Sequence, residues 1–89
     1  MTIERHPNFK RTYKKRIATD AKLVKKTRNR IQIFMDNPKH PLLRDHALKG
    51  GKEGLRAFSV TGDIRITYRR TNENEAEFLD IGTHNQVYS

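Results

Sequence analysis

Two histidines, an aspartate, an arginine and a tyrosine are the residues through which this chain could do chemistry. His46 stands before Leu48-Lys49-Gly50-Gly51, Asp63 and Arg65 flank Ile64 after Gly62, and His84 follows Gly82-Thr83 with Tyr88 four residues on. Imidazole exchanges protons near neutral pH, a carboxylate can orient or share them, a guanidinium steadies phosphate charge, and an aromatic ring stacks on a nucleobase. Acid, base, cation and ring suit a small ribonuclease that works without a metal. Each also has an ordinary reading. Asp63 and Arg65 fit a solvated strand face, where surface charges contribute little. Val87 and Tyr88 fit a tail pinned to the core, and a lone loop histidine such as His46 is more often simply solvated.

The remaining candidates fall away. His6 and His40 have no comparable company and receive no role. The four histidines form no i, i+4 pair and have no carboxylate cluster of ligand type nearby, so no metal site and no cofactor is expected. Gly50-Gly51-Lys52 with Gly54 is not a phosphate loop, because no strand precedes it and no Ser or Thr follows the lysine.

Charge narrows the partner. Nineteen Lys and Arg against ten acids leave a formal charge of +9 on 89 residues, a field that draws in polyanions. Nucleic acid is the first candidate, although an anionic membrane surface or an acidic protein answers to the same sign. With no cysteine, disulfides and thiolate zinc sites are excluded and stability must come from packing. Met1-Thr2-Ile3-Glu4-Arg5 carries no apolar leader and no window approaches the ~18 apolar residues of a membrane span. The expectation is a cytoplasmic protein, one domain over residues 1–89, with no membrane partner.

These side chains need a scaffold. Ile3 to His6 reads as an opening strand, and Pro7 fits the first turn of a helix, where its missing N–H costs nothing. Phe9, Tyr13 and Ile17 recur at four-residue steps, with Lys10, Arg11, Lys14, Lys15 and Arg16 on the remaining surface. Thr19 or Asp20 can cap a second helix with an inward stripe of Val24, Thr27, Ile31, Phe34 and Met35, stopped by Asn37-Pro38. Residues 37–53 hold Asn37-Pro38, His40-Pro41 and Gly50-Gly51 and read as one long loop. Leu55 to Thr61, Ile64 to Arg70 and Ala76 to Ile81 are β-rich, joined by turns at Thr61-Gly62-Asp63 and Thr71-Asn72-Glu73-Asn74. The order β-α-α-β-β-β predicts an α+β fold, two N-terminal helices packed on one face of a small, mainly antiparallel sheet. Alternation turns Ile64, Ile66 and Tyr68 to the helices and Asp63, Arg65, Thr67 and Arg69 to the open face, with Asp63 and Arg65 about 7 Å apart by strand rise.

Taken together, the segments His46-Ala47-Leu48-Lys49-Gly50, Arg56-Ala57-Phe58-Ser59-Val60, Gly62-Asp63-Ile64-Arg65-Ile66-Thr67-Tyr68 and Leu79-Asp80-Ile81-Gly82-Thr83-His84, closing with Val87-Tyr88, resemble the RelE superfamily of type II toxin-antitoxin ribonucleases in its YafQ-like branch. Each segment is short; their order and spacing over nearly the whole chain are what is specific. The resemblance implies a RelE-like fold and a toxin that cuts messenger RNA, typically on the ribosome, silenced by a small cognate antitoxin. The antitoxin would be acidic, wrapping the basic surface over the open sheet face or displacing the tail, in a toxin-antitoxin hetero-oligomer. Cleavage would be metal-independent: the RNA 2′-OH attacks the adjacent phosphate, leaving a 2′,3′-cyclic phosphate and a 5′-OH. By resemblance His46, Asp63 and His84 match acid/base positions, Arg65 the strand arginine and Tyr88 the aromatic. Lys49, Lys52 and Arg56 are RNA-binding candidates, and helical lysines such as Lys14 and Lys15 would meet ribosomal RNA phosphates.

Three positions depart from the branch. Ser59 stands where a further histidine is expected, Ile64 where tryptophan is, and Asp80 where an arginine is. Either Arg56, Lys49 or Lys52 compensates, or activity is low. Two other readings follow, a weakly catalytic member of the fold that binds RNA or the ribosome without cutting, and a small basic module whose partner is an acidic protein or DNA.

Overall fold

Pro7 ends the opening strand and starts the first helix in one step. His6, extended at φ −61° and ψ 146°, caps that helix by accepting from the Asn8 N–H at Nδ1 (3.0 Å). His40 caps a 3-10 turn at Pro41–Leu43 in the same way, through the Leu42 N–H (3.1 Å). The two histidines without a chemical role are therefore caps. The computed structural model describes residues 1–50 and 52–88; Gly51, half of the Gly50-Gly51 loop signal, lies outside them.

The elements run β1 (Thr2–Arg5), α1 (Pro7–Arg16), α2 (Ala21–Asp36), the 3-10 turn, β2 (His46–Ala47), β3 (Leu55–Ser59), β4 (Ile64–Asn72), β5 (Glu75–Thr83) and α3 (His84–Tyr88). Strand order is β1-β5-β4-β3-β2, with β1 parallel to β5 and the other pairs antiparallel. The α+β reading holds. Asp20, not Thr19, caps α2, accepting from Lys22 and Leu23 N–H. Three elements are additional. The long loop contains the 3-10 turn and β2, whose His46 pairs with Ala57 and Ala47 with Arg56. The tail folds as α3, which packs against β4 and β5.

Four aromatic rings from three strands and a helix make the core. Phe34 stacks on Phe58 (4.7 Å) and meets Tyr68 edge-on (4.8 Å), and Phe78 closes the group at 5.8 Å from both Phe34 and Phe58. Ile66 joins them as alternation predicts. Met35 is exposed; Ile33 packs against the core instead.

Along the outer edge of β5 the packing is polar. β1 stops pairing at Arg5–Phe78, so β5 beyond Phe78 has no strand on that side. Helix α1 takes over with Asn8, Thr12 and Arg16, one stripe at four-residue steps. Asn8 Nδ2 donates to the Leu79 carbonyl (2.9 Å), Thr12 Oγ1 accepts from the Ile81 N–H (3.4 Å), and Arg16 Nη1 donates to the Ile81 carbonyl (2.9 Å). Arg16 also pairs with Asp80 at 3.2 Å. Backbone groups that would otherwise lie unpaired under a helix are thereby satisfied.

Asp45 braces the loop before β2. One carboxylate oxygen accepts from Arg56 Nε (2.7 Å) and the other from the Tyr68 hydroxyl. Burial first, and then the Asp45 carboxylate, push the Tyr68 phenol well above its ordinary value of 10.0.

Helix α3 starts at a reciprocal cap. Thr83 Oγ1 accepts from the Gln86 N–H (3.3 Å), and Gln86 Oε1 accepts from the Thr83 N–H (2.8 Å). Gly82 makes room for it: a Cβ there would sit 2.6 Å from Arg16 Nη1, 2.6 Å from Gln86 Oε1 and 3.1 Å from Gln86 Cβ.

Two outcomes are expected. Gly82→Ala forces Gln86 and Arg16 outward and loosens α3, costing about 1–3 kcal/mol; urea unfolding together with amide exchange at residues 84–88 measures both, and unchanged exchange there would refute the packing account. Asp45→Ala leaves a buried phenol unpaired and costs about 1–3 kcal/mol, read as a lower urea midpoint. The raised Tyr68 pKa means that the unfolded chain loses its phenolic proton first. Stability from this group is thus full below about pH 10 and falls as pH rises beyond it, and a Tyr68→Phe chain should lack that alkaline decline.

Candidate active site

His46 is delivered by β2 and His84 by the first turn of α3, and a cleft of about 430 Å³ brings them together. Lys49, Lys52 and Tyr88 line the same cleft, with Leu48 and Gly50. Five of the residues singled out in the sequence thus share one concavity, although they come from segments far apart in the chain.

The two imidazoles are held differently. His46 Nδ1 lies 3.0 Å from the Arg44 carbonyl. A carbonyl can only accept, so Nδ1 donates, and in the neutral ring the lone pair then lies on Nε2. The His84 ring packs edge-on against Tyr88, centroids 4.4 Å apart and planes at 81°, so its tilt is set by an aromatic neighbour one helical turn away. Both histidines are exposed and open to a ligand.

Tyr88 is half-buried, and its hydroxyl is shut from solvent with no hydrogen-bond partner among the described residues. Burial pushes its pKa up, while the positive charge of Arg65 pulls it down. The register partners of Arg65 are Ser59 on β3 and Gly82 on β5. The neighbouring row on the same face runs His46, Ala57, Thr67, Asp80.

That face is not open throughout. Thr67 is only 5% exposed and Ala57 is fully buried, because α3 lies across β4 and β5 with Val87 buried beneath it. The expected free face is narrowed to the strip beside β2 and β3, where the cleft sits.

Other candidates lie outside the cleft lining. Asp63 is in the exposed turn between β3 and β4, where its N–H bonds Thr61 Oγ1 (3.1 Å), rather than in the strand. Arg56 shares the face of Phe58 and Tyr68, on the helix side of the sheet, with Nε committed to Asp45. Lys14 and Lys15 lie exposed on α1. Of the three departures, Ile64 packs against the core and Ser59 faces Arg65. Asp80 is neutralised by Arg16, so the acid at that position adds no free negative charge beside the site.

Two contributions have little or no trace in the sequence pattern. Helix α3 is signalled only by Thr83-x-x-Gln86, a capping-box spacing; the Arg16 contact has no local signal, because its partners are 64 and 65 residues away. Among the described residues no three His, Asp or Glu side chains are grouped to hold a metal ion.

Known proteins share this architecture. The family model for YafQ, bacterial toxin of type II toxin-antitoxin system, matches residues 1–89. The crystal structure of YafQ from E. coli strain BL21(DE3) superposes with a TM-score of 0.76 at 22% identity, covering 98% of this chain and 97% of that one. A metal-bound toxin from Helicobacter pylori gives 0.78 at 25%, covering 98% of each, and the YoeB/ParE toxin from Agrobacterium tumefaciens gives 0.77 at 23%, covering 94% and 99%. No curated protein matches the sequence. These structures share the fold, and the match of the family model over the full length places the chain in the YafQ family of bacterial type II toxin-antitoxin toxins.

Proposed function

We propose that this toxin is an endoribonuclease that cuts messenger RNA on the ribosome by metal-independent attack of the 2′-OH. The observation that carries the reading is the convergence of His46, His84, Tyr88, Lys49 and Lys52 on one cleft, with Arg65 opposite Gly82, two residues before His84. His46 Nε2, its lone pair free, takes the 2′ proton. The 2′ oxygen bonds to phosphorus as the P–O5′ bond breaks, and His84 supplies the proton to the departing 5′ oxygen. Lys49, Lys52 and Arg65 stabilise charge on the non-bridging oxygens, and Tyr88 offers a ring face for a base. The products are a 2′,3′-cyclic phosphate and a 5′-OH. Asp63, exposed in its turn, has no step to perform in this scheme.

Partners follow from charge. Lys14 and Lys15 would meet ribosomal RNA phosphates. E. coli YafQ has been solved as a complex with DinJ, which supports an antitoxin for this chain also. An acidic segment would answer the +9 charge and block the cleft by lying over it or by displacing α3.

Expression of the wild type beside His84→Ala and His46→Ala, with mapping of RNA 5′ ends, tests the scheme. Each histidine variant should cut about 10²–10⁴-fold more slowly with an unchanged melting temperature, whereas Asp63→Asn should cut within a few-fold of wild type. Cleavage at the wild-type rate in His84→Ala would refute the proton-transfer assignment, and absence of new RNA ends in wild type would refute the ribonuclease reading itself.

A further inference from the structure

A second cleft of about 480 Å³ opens beside the turn at Val60-Thr61-Gly62. Four cations line it, Lys26 and Arg30 from α2, Arg44 from the end of the 3-10 turn and Arg65 itself, and no acidic residue does. Lys26 and Arg30 are one helical turn apart and so share a face. Arg30 Nε donates to the Val60 carbonyl (3.3 Å), which fixes the guanidinium at the turn. Arg44 adopts a left-handed conformation (φ 49°), uncommon for a residue with a side chain, and its N–H bonds the Pro41 carbonyl (3.2 Å). Among the described residues none of the four cations has a carboxylate within ion-pair distance. Four uncompensated positive charges around one concavity repel each other in the free protein and are relieved by an anion with several charges. Leu42, 53% exposed on the same wall, offers apolar surface beside them.

We infer that this cleft binds the phosphodiester backbone of single-stranded RNA, holding the substrate strand through Arg65 and the three cations that line the cleft with it. Arg65 links the two clefts, lining this one while its register partner, Gly82, stands two residues before His84 of the other. A strand whose scissile phosphate sits between His46 and His84 would therefore place flanking phosphates against Lys26, Arg30 and Arg44. The identity of the anion as substrate rests on the ribonuclease reading, but binding can be measured apart from cutting.

The test uses a fluorescent single-stranded RNA with 2′-O-methyl groups, which keeps the phosphates and removes the attacking hydroxyl. Anisotropy titrations across a salt series compare wild type with Lys26→Gln/Arg44→Gln and with Arg5→Gln/Arg69→Gln, a pair of equal charge loss on β1 and β4, outside the cleft. Each lost contact to a single strand should lower the slope of log K against log salt by about 0.7. The cleft pair should lower it by roughly 1.4 and weaken binding several-fold, while the Arg5/Arg69 pair leaves the slope unchanged. Equal effects from the two pairs would reduce the cleft to net charge and overturn the inference. So would a cleft pair that weakens ribosome binding alone, since the contact would then be to ribosomal RNA. Loss of oligonucleotide binding in the cleft pair would uphold the cleft even if no cleavage were ever found.

Discussion

The fold turns on a free strand edge. β5 outlasts β1, and the carbonyls of Leu79 and Ile81 would face a helix with nothing to bond were it not for Asn8 and Arg16, while the Ile81 N–H is shared between Thr12 and Asp80. Buried backbone groups left unpaired are costly, so the polar stripe of α1 is required for α1 to pack where it does. It also determines what comes next. With Arg16 drawn over the end of β5, a side chain at 82 would displace Arg16 Nη1 and Gln86 Oε1, and Gly82 lets Gln86 close the cap on α3. His84 and Tyr88 take their places from that cap.

A second brace acts from the other side of the sheet. Asp45 ties Arg56 and Tyr68 together, next to the Arg44 carbonyl that orients His46. Tyr68 is part of the aromatic core, so the loop carrying His46 is fastened to the best-packed region of the molecule. The two histidines are thus positioned by unrelated devices, one at each side of the sheet, and meet only because the sheet spans between them. Positive charge is distributed to match, with Lys49 and Lys52 beside the histidines and Lys26, Arg30 and Arg44 beyond Arg65.

Periodicity makes the helices, the three long strands and the inward set of Phe9, Ile17, Phe34, Ile66 and Tyr68 legible in the residues themselves. Local chemistry does so too at Pro7, Asp20 and Asn37-Pro38, where one or two residues decide whether a helix can begin or continue. β2 is not legible, because two residues carry no alternation, and Met35 departs from its expected place because a 16-residue helix drifts relative to a fixed stripe.

By itself, then, the sequence determined the fold class, the excess of positive charge and the residue types able to move protons, since each follows from local composition and spacing. Tertiary structure decided which of them meet. Arg56 turned to the helix side and into an ion pair with Asp45, Asp63 stayed in a solvated turn, and Arg16 crossed 64 residues of chain to neutralise Asp80. The Arg56 and Arg16 pairings have no local signature, because strand register and the free edge of β5 arise only when distant segments pair.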